Sequence, residues 1–544
     1  MIAAAMRVPL NVRVLEPEVL FHEPLRAPYS RFFGDIGFEP DIGFVTSEQE
    51  LIVKLNSEDT HVVICDLSFG VSAEYQGLSV LRRLRENWPD IVRIGNSQVD
   101  VGFRQHENKS ADMDLFIDKA WLIGGDDEII PRLQRKLLRL LRRDTWLQEI
   151  QGEQVVVGAF IDKKREGGGK FREATRQVRS LFQQATFTSH DQDPGLRIEQ
   201  VRLEPLGGRS RSMVFRMSAV TGREDAGGGF VPAVIKVSSR EDTLTELRNY
   251  AKYVRWSLPY TWRVDILGYG LTRDFGAVCY SFVLSDEREF DALTTLVRQA
   301  KYDKVEGILR LLFDAGRRHW YHPGMVESGG SINMRYQARY FPGVNDMERS
   351  TDVFMDVVQR QFGAIIRGAE IEVQGGRHRQ PRDLLFGRSH GDCLSCICHG
   401  DLNSDNIMVA SNGGVVFIDF QDTGRGHVFE DFVRMEMSLR IWSDTVRMEP
   451  APWRAVLTWE DALAGGQRGE AWSGEYELIM LVRKLARENF PTERFRNYHY
   501  GVAAFGLRLL RVPELEVWQR ARIVAAVVGA CKVLTAEPWR EGGT

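Results

Sequence analysis

Cysteine is scarce in this chain. Six residues in 544 (Cys65, Cys279, Cys393, Cys396, Cys398 and Cys531) are too few for the dense disulfide frameworks that staple small secreted domains, and they fit a reducing cytoplasm. No apolar run reaches the length of a bilayer span, and the best, Ile523 to Ala536, is interrupted by Lys532. The opening MIAAAMRVPLNVRV lacks the long apolar core of an export signal. The expectation is therefore a cytoplasmic protein without a membrane span. An excess of charge of one sign is also missing. The 71 Lys and Arg oppose 75 Asp and Glu for a formal net charge of -4, so nucleic-acid binding would need local basic patches. What remains is an ordinary globular composition, 43% hydrophobic and 27% charged, in a chain long enough for two or three domains.

The densest chemistry lies in residues 396 to 421, CICHGDLNSDNIMVASNGGVVFIDFQ. A buried strand delivers His399, Gly400 and Asp401 into a polar loop, Asn406 follows five residues after Asp401, and the apolar strand Val415 to Ile418 ends on Asp419. Oxygen-bearing side chains on strand ends and loops are the inventory of phosphoryl transfer, which works mostly by positioning and by neutralising charge with magnesium. On this reading Asp401 orients or deprotonates the acceptor hydroxyl, Asn406 and Asp419 hold Mg2+ against nucleotide phosphates, and His399 braces the loop. Cys393, Cys396 and Cys398 near His390 form an incomplete zinc set, and small buried cysteines are expected instead.

Upstream, RIEQVRLEPLGGRSRSMVFRMSAV predicts two strands joined at Gly207 and Gly208, where backbone N–H groups can approach a phosphate. FVPAVIKVSS places Lys236 among apolar neighbours, out of place unless it reaches a polar partner. The following helix, EDTLTELRNYAKYV, offers Glu246 (or Glu241) as that partner. ILGYGLT and GAVCYSFVLS complete a set of strands, and Phe282 to Leu284 would form a hinge against which adenine lies, with Phe282 and Val283 in contact.

Together Gly207, Gly208, Lys236, Glu246, HGDLNSDN at 399 to 406 and IDF at 418 to 420 resemble the protein-kinase-like phosphotransferases of the aminoglycoside phosphotransferase and choline kinase branch, over about 340 residues. The resemblance implies a bilobal α+β fold that uses ATP and Mg2+. Asp419 is followed by Phe420 and Gln421 rather than by the DFG pattern of eukaryotic-type protein kinases, and no APE-type end to an activation segment is evident. Asp431 sits where these phosphotransferases carry a structural aspartate at the start of a helix. About a hundred residues separate the hinge from His399, and in this branch such an insertion helps form the acceptor site. It contains Arg335, Arg339, Arg360, Arg367, Arg377, Arg379, Arg382 and Arg388. That composition favours a protein, nucleotide or other anionic acceptor over a cationic aminoglycoside. A solvated arginine-rich surface accounts for it equally.

The first 150 residues alternate short apolar runs, at 12 to 15, 42 to 46, 61 to 67, 91 to 95 and 114 to 119, with helical patterns such as 47 to 56 and 78 to 88. This predicts a doubly wound α/β sheet with its site beyond the strand ends. Asp66, Gly77, Ser97 and Lys119 in that order resemble the receiver domain of response regulators, a flavodoxin-like fold. The resemblance implies that Asp66 accepts a phosphoryl group, that Ser97 or Asn96 contacts it, that Lys119 pairs with it, and that a sensor kinase or partner protein docks there. Three departures point toward an inert docking module. Glu16 is followed by Pro17, so one magnesium ligand is missing or moved to Glu18. Ala120 replaces the usual proline, and the aromatic-rich 21 to 40 stands in place of the first helix. The receiver-like and kinase-like combination is also similar to bacterial ternary-complex-associated kinase domains.

The expected organisation is a multidomain chain with a flavodoxin-like α/β receiver domain (9 to 148), a helical connector (149 to 195) and a bilobal kinase-like domain, with its small lobe at 196 to 290 and its large lobe with acceptor-site insertion at 291 to 540. The basic stripe at 129 to 150 reads as the last receiver helix extended, and the second basic helix at 171 to 187 as a dimer or partner contact. The leading expectation is an ATP-dependent phosphotransferase regulated by, or docked through, its receiver-like part. The alternative is a nucleotide-binding pseudokinase scaffold that assembles protein or nucleic-acid partners.

Overall fold

The computed structural model describes residues 8–36, 38–58, 60–67, 76–89, 91–97, 112–124, 128–145, 149–151, 178, 181–182, 185, 198–205, 212–221, 230–281, 290–322, 325–343, 345–373, 376–386, 391–442, 453–464, 466 and 474–536. The chain divides into two compact units, residues 1–245 with 265–283 and residues 246–264 with 284–544.

The first unit opens with strands β1 (Val8–Leu15), β2 (Phe38–Val45), β3 (Val62–Asp66), β4 (Val92–Ser97) and β5 (Leu115–Asp118). All neighbours pair in parallel, in the order β2-β1-β3-β4-β5, the flavodoxin-like order in which a site forms at the strand ends. Helices α1 (His22–Gly34), α2 (Glu48–Ser57), α3 (Gln76–Asn87), α4 (Lys119–Gly124) and α5 (Ile129–Thr145) follow. Both faces of the sheet carry a core. Val12, Val14, Ile64 and Ile94 pack on one side and Val63, Cys65, Leu81 and Leu84 on the other, which is why β3 and β5 are buried along their whole length. The aromatic-rich segment that departs from the receiver pattern forms α1 after all, with Pro28 inside it. Leu25, Tyr29, Phe32 and Phe33 are buried, and this large apolar face outweighs the poor helix propensity of proline.

The same unit holds a six-stranded sheet of β6 (Glu149–Gln151), β7 (Ile198–Pro205), β8 (Met213–Thr221), β9 (Phe230–Ser239), β10 (Ile266–Leu271) and β11 (Phe275–Ser281), ordered β10-β11-β9-β8-β7-β6. It is antiparallel except where β6 joins β7 in parallel. The stretch read as a connector thus supplies a strand. It also supplies core, since Val178, Leu181, Phe182 and Ala185 are buried with Val201, Leu203, Phe215 and Ile235. These four recur at helical spacing and cover the sheet, so the apolar stripe of the second basic helix is turned inward. Helix α6 (Arg240–Asn249) follows β9, with Glu241 and Asp242 in its first turn and Arg248 in its last, each complementing the helix dipole.

The second unit is α+β. Its helices are α7 (Leu293–Arg298), α8 (Tyr302–Gly316), α9 (Ile332–Tyr340), α10 (Asp346–Phe362), α11 (Pro381–Phe386), α12 (Glu430–Trp442), α13 (Trp453–Ala464), α14 (Gly474–Asn489), α15 (Phe495–Leu509) and α16 (Val517–Ala536). Three small antiparallel sheets accompany them: β12 (Phe290–Ala292) with β18 (Ile407–Ala410) and β19 (Val415–Phe417), β13 (Glu327–Ser331) with β17 (Asp392–Cys398) and β20 (Gly424–His427), and β14 (Ile365–Arg367), β15 (Glu370–Val373) and β16 (Gly376–Arg379) within the insertion.

Helix α12 is the axis of this unit, buried on every side from Glu430 to Ile441. Such burial forces its charged residues into ion pairs. Glu436 takes two bonds of 2.8 Å from Arg483, one of 2.8 Å from Arg440 and one of 2.7 Å from Tyr498. Burial would raise its carboxyl, but Arg483 and Arg440 overcome that and hold its pKa down at about 2. The described residues therefore form a multidomain protein with a flavodoxin-like parallel sheet followed by a six-stranded sheet and an α+β unit. Among them no helix is long and apolar enough to cross a membrane.

Candidate active site

Strand β17 ends at Cys398 and hands the chain to His399, Gly400 and Asp401. The turn is clamped from below. The Asp431 carboxylate, in the first turn of α12, accepts the His399 N–H at 2.7 Å and the Gly400 N–H at 2.9 Å, and also the Tyr321 hydroxyl at 2.9 Å. Burial pushes the Asp431 carboxyl upward, while His399 and the two backbone bonds oppose that. The His399 ring is fully buried beside Trp320, Phe417 and Phe420, with Nε2 at 3.0 Å from the Ile418 carbonyl. It ties the loop to the segment leading to Asp419. Gly400 has φ +80°, and a Cβ there would lie 2.1 Å from the Asp422 carbonyl oxygen, so only glycine fits.

Asp401 is held by three side chains. Arg434 Nη1 donates to Oδ1 at 2.6 Å, and Asn406 Nδ2 and Asn403 Nδ2 donate to Oδ2 at 3.0 and 3.2 Å. Its side chain stays 36% exposed, open to an acceptor. Burial raises its pKa, Arg434 lowers it, and Asp419 and Asp422 raise it; solvent at the exposed edge moderates these effects. Asn406 spends its NH2 on the carboxylate and on the Asp401 carbonyl, 2.8 Å away, which leaves the amide oxygen as the group it can offer a cation. Asp419 sits two residues beyond β19 with φ +65°, a left-handed backbone that is rare for a non-glycine residue and is maintained where the surroundings impose it. An amide oxygen and one carboxylate suit magnesium, which prefers hard oxygens and takes the rest of its shell from phosphates and water.

Sequence reasoning missed several partners. Arg434 is buried between Tyr340 and Phe505, its guanidinium 5.4 and 4.7 Å from their ring centres. Asn403 both binds Asp401 and caps the short turn before Asn406 by accepting the N–H groups of Asp405 and Asn406. Ser438 of α12 bonds the Ser404 N–H at 2.9 Å and its hydroxyl at 2.7 Å. On α6, Asn249 donates to the Gln421 carbonyl at 2.6 Å, and Tyr250 meets Phe420 edge-on at 5.6 Å. The HGDLNSDN run contains Asn403 and Ser404, but nothing local marks Arg434 or Ser438, which come from a helix thirty residues on.

Lys236 lies on β9, which is flanked by β8 and β11, and is buried at 5% exposure. It is not an edge lysine reaching for solvent. Glu246 on α6 is fully buried. Gly207, Gly208, Phe282 and Val283 lie outside the described residues, as do Arg388 and His390. Of the insertion arginines, Arg339 donates to the Gly400 and Asp422 carbonyls at 3.0 and 3.2 Å and pairs with Glu430, and Arg335 bonds the Gly329 and Arg425 carbonyls. Arg360, Arg377 and Arg382 pair with carboxylates of the insertion itself. The cysteines of β17 are buried; Cys396 and Cys398 sulfurs are 3.8 Å apart, and burial pushes the Cys393 thiol up to about 11. Among the described residues no cluster of three or more His, Cys, Asp or Glu is placed to hold a metal.

In the first unit the strand ends of the parallel sheet bring Glu16, Asp66 and Lys119 together. Lys119 Nζ lies 2.7 Å from Glu16 Oε2 and 2.9 Å from Asp66 Oδ2, with all three side chains at 11% exposure or less. Burial alone would depress the Lys119 ammonium, but its bonds to Asp66 and Glu16 hold it above the usual lysine range. Glu18, named as a substitute metal ligand, is exposed, and its backbone N–H bonds Glu16 Oε1. Ser97 is buried at the end of β4. Neighbouring Asn96 bonds the Tyr29 hydroxyl, whose ionisation is suppressed by burial and then by the charges of Glu16 and Asp66. Ala120 uses its N–H on Asp118 Oδ1 at 2.8 Å, a bond proline could not make.

Compared with known proteins, residues 369–511 match the family model described as Ternary complex associated domain 9. No curated protein matches. A response regulator from Thermotoga maritima is similar at 20% identity over 24% of this chain and 98% of its own, with TM-score 0.19. An aminoglycoside phosphotransferase from Streptomyces rimosus is similar at 16% identity over 52% of this chain and 92% of its own, with TM-score 0.26. An ethanolamine kinase from Plasmodium vivax is similar at 11% identity over 61% of this chain and 81% of its own, with TM-score 0.27.

Proposed function

We propose that this chain is an ATP- and magnesium-dependent phosphotransferase that uses its receiver-like part as a docking module. The observation that carries the reading is the Asp401 carboxylate, held by Arg434, Asn406 and Asn403 on a loop clamped by Asp431. Catalysis of phosphoryl transfer needs little beyond such positioning. Asn406 and Asp419 would hold magnesium, which when bound neutralises the nucleotide phosphates. Lys236, steadied by Glu246, is assigned to those phosphates, and the segment containing Phe282 and Val283 to adenine. Asp401 orients the acceptor hydroxyl. As the hydroxyl oxygen bonds to the γ-phosphorus, the bridging bond to the β-phosphate breaks, ADP departs, and the hydroxyl proton passes to the Asp401 carboxylate and on to solvent.

In the receiver-like part, Lys119 pairs with Asp66 and Glu16 and offsets one of their two charges. The docking reading is supported by the departures from the receiver pattern, with Glu16 followed by Pro17 and an exposed Glu18 in place of an adjacent acidic pair. A second reading, a nucleotide-binding scaffold that assembles partners in the cytoplasm, is favoured by the match to a complex-associated family model.

Labelled ATP and magnesium added to cell lysate with the full chain test the proposal. A labelled acceptor that disappears with Asp401→Asn, while nucleotide affinity is retained, is expected. Transfer unchanged by that substitution sinks the assignment, and nucleotide binding without transfer to any acceptor supports the scaffold.

A further inference from the structure

The cation best placed for an acceptor lies outside the arginine-rich insertion. Helix α15 carries Phe505 and Arg508 three residues apart and therefore as neighbours on its surface, and Arg511 follows just beyond its end. Phe505 lies 4.7 Å from the guanidinium that grips Asp401 and 5.3 Å from Tyr340. Arg511, one turn beyond Arg508, donates to the Tyr340 carbonyl at 2.7 Å, pairs with Asp346 and stacks near Phe341. Arg434 is committed to Asp401 and Glu430, and Arg339 to Glu430 and two carbonyls. Arg508 follows one turn after Phe505, whose ring meets the Arg434 guanidinium. It is half-buried, and among the described residues its guanidinium makes no hydrogen bond or ion pair. Burial, then the charges of Arg511 and Arg434, depress its pKa below the usual arginine range, with Asp346 and Tyr340 opposing in part.

A plain alternative exists, since Arg508 is in the last turn of α15, where a cation complements the helix dipole. That effect explains an arginine pointing to solvent. It does not explain a guanidinium half withdrawn from water without a bonded partner, an arrangement that costs free energy until an anion arrives. Resting on the phosphotransferase reading, we propose that Arg508, backed by Arg434, binds an oxyanion group, phosphate or carboxylate, on the phosphoryl acceptor. The same cations would repel a polycationic aminoglycoside. Arg360, Arg377 and Arg382, the insertion arginines that composition brought forward, are neutralised locally and are not needed.

The test uses the full chain with its nucleotide site filled by magnesium and a non-hydrolysable ATP analogue, titrated calorimetrically with inorganic phosphate and, separately, with acetate. Binding of one of them is expected, and which one binds identifies the group. Arg508→Gln should weaken it by about tenfold, Arg508→Lys by less, and both should leave analogue affinity within twofold and the melting temperature unchanged. Equal binding by wild type and Arg508→Gln, or no binding of either anion by wild type, overturns the proposal. Failure of the analogue to bind counts against the phosphotransferase reading alone, because the anion titration can then be read without nucleotide.

Discussion

Arg434 donates to Oδ1 of Asp401 across 2.6 Å, from a helix buried on all sides. A guanidinium fixed there cannot swing away as a surface arginine would. It sets the direction of the carboxylate and restrains its basicity, so the two residues act as one unit.

Replacing Arg434 with Gln should therefore shift a pH profile and not only a rate. Arg434 holds the Asp401 pKa down against burial, so its loss moves that pKa up. The carboxylate must be ionised to accept a proton, so the acidic limb of kcat/KM should move to higher pH. Turnover near pH 7 should fall by about 10- to 100-fold. A uniform loss with an unmoved limb would assign Arg434 to orientation only.

Asp431→Ala should damage the loop without touching nucleotide. It strands the buried N–H groups of His399 and Gly400, each worth about 1–3 kcal/mol when left unsatisfied. Expected outcomes are a lowered melting temperature and turnover reduced by about 100-fold, with ATP-analogue affinity unchanged. Wild-type turnover in this variant would show that the clamp is dispensable.

The chemistry of this loop was readable in advance because His399, Asp401, Asn406 and Asp419 fall within 21 consecutive residues, and local spacing fixes their local geometry. Arg434, Asp431 and Ser438 reach the loop only through tertiary packing of α12, so spacing carries no trace of the contacts. The parallel sheet of the first unit was legible for a related reason: strands buried on both faces read as apolar runs. Helix α1 was obscured by Pro28 and by a density of aromatics that resembles a loop until a core is there to receive them.

Acid should weaken the second unit through Glu436. Its folded pKa, about 2, lies below the ordinary glutamate value of about 4.3. The stability it contributes is therefore present above about pH 4.3 and is lost as pH falls toward 2. Glu436→Gln should cost about 3–5 kcal/mol at neutral pH, since it leaves Arg483 and Arg440 short of their counter-charge. Urea denaturation at pH 7 and pH 3 checks this, and the variant should show a smaller loss between the two than wild type.

Lys119 makes the opposite prediction for alkali. Its folded pKa is raised, so its contribution is present below the unfolded lysine value of about 10.4 and is lost as pH rises through the folded value. Lys119→Met should leave Glu16 and Asp66 facing each other without their shared cation and lower stability near neutral pH, read as a lowered melting temperature. Wild-type protein incubated with a small phosphodonor and magnesium should carry no label at Asp66. A label abolished by Asp66→Asn would restore the phosphoacceptor role.

Strand β6 has a practical and historical consequence. Because Glu149–Gln151 extends the six-stranded sheet beyond β7, and Val178, Leu181, Phe182 and Ala185 fill its core, a cut at residue 195 would strip the sheet's outer strand and open its interior. The released fragment would present β7 as a bare edge, prone to pairing with other copies. Residues 149–151, 178, 181–182 and 185 belong to this sheet and its core, so recombination that exchanged the receiver-like part should succeed only by cutting before residue 149.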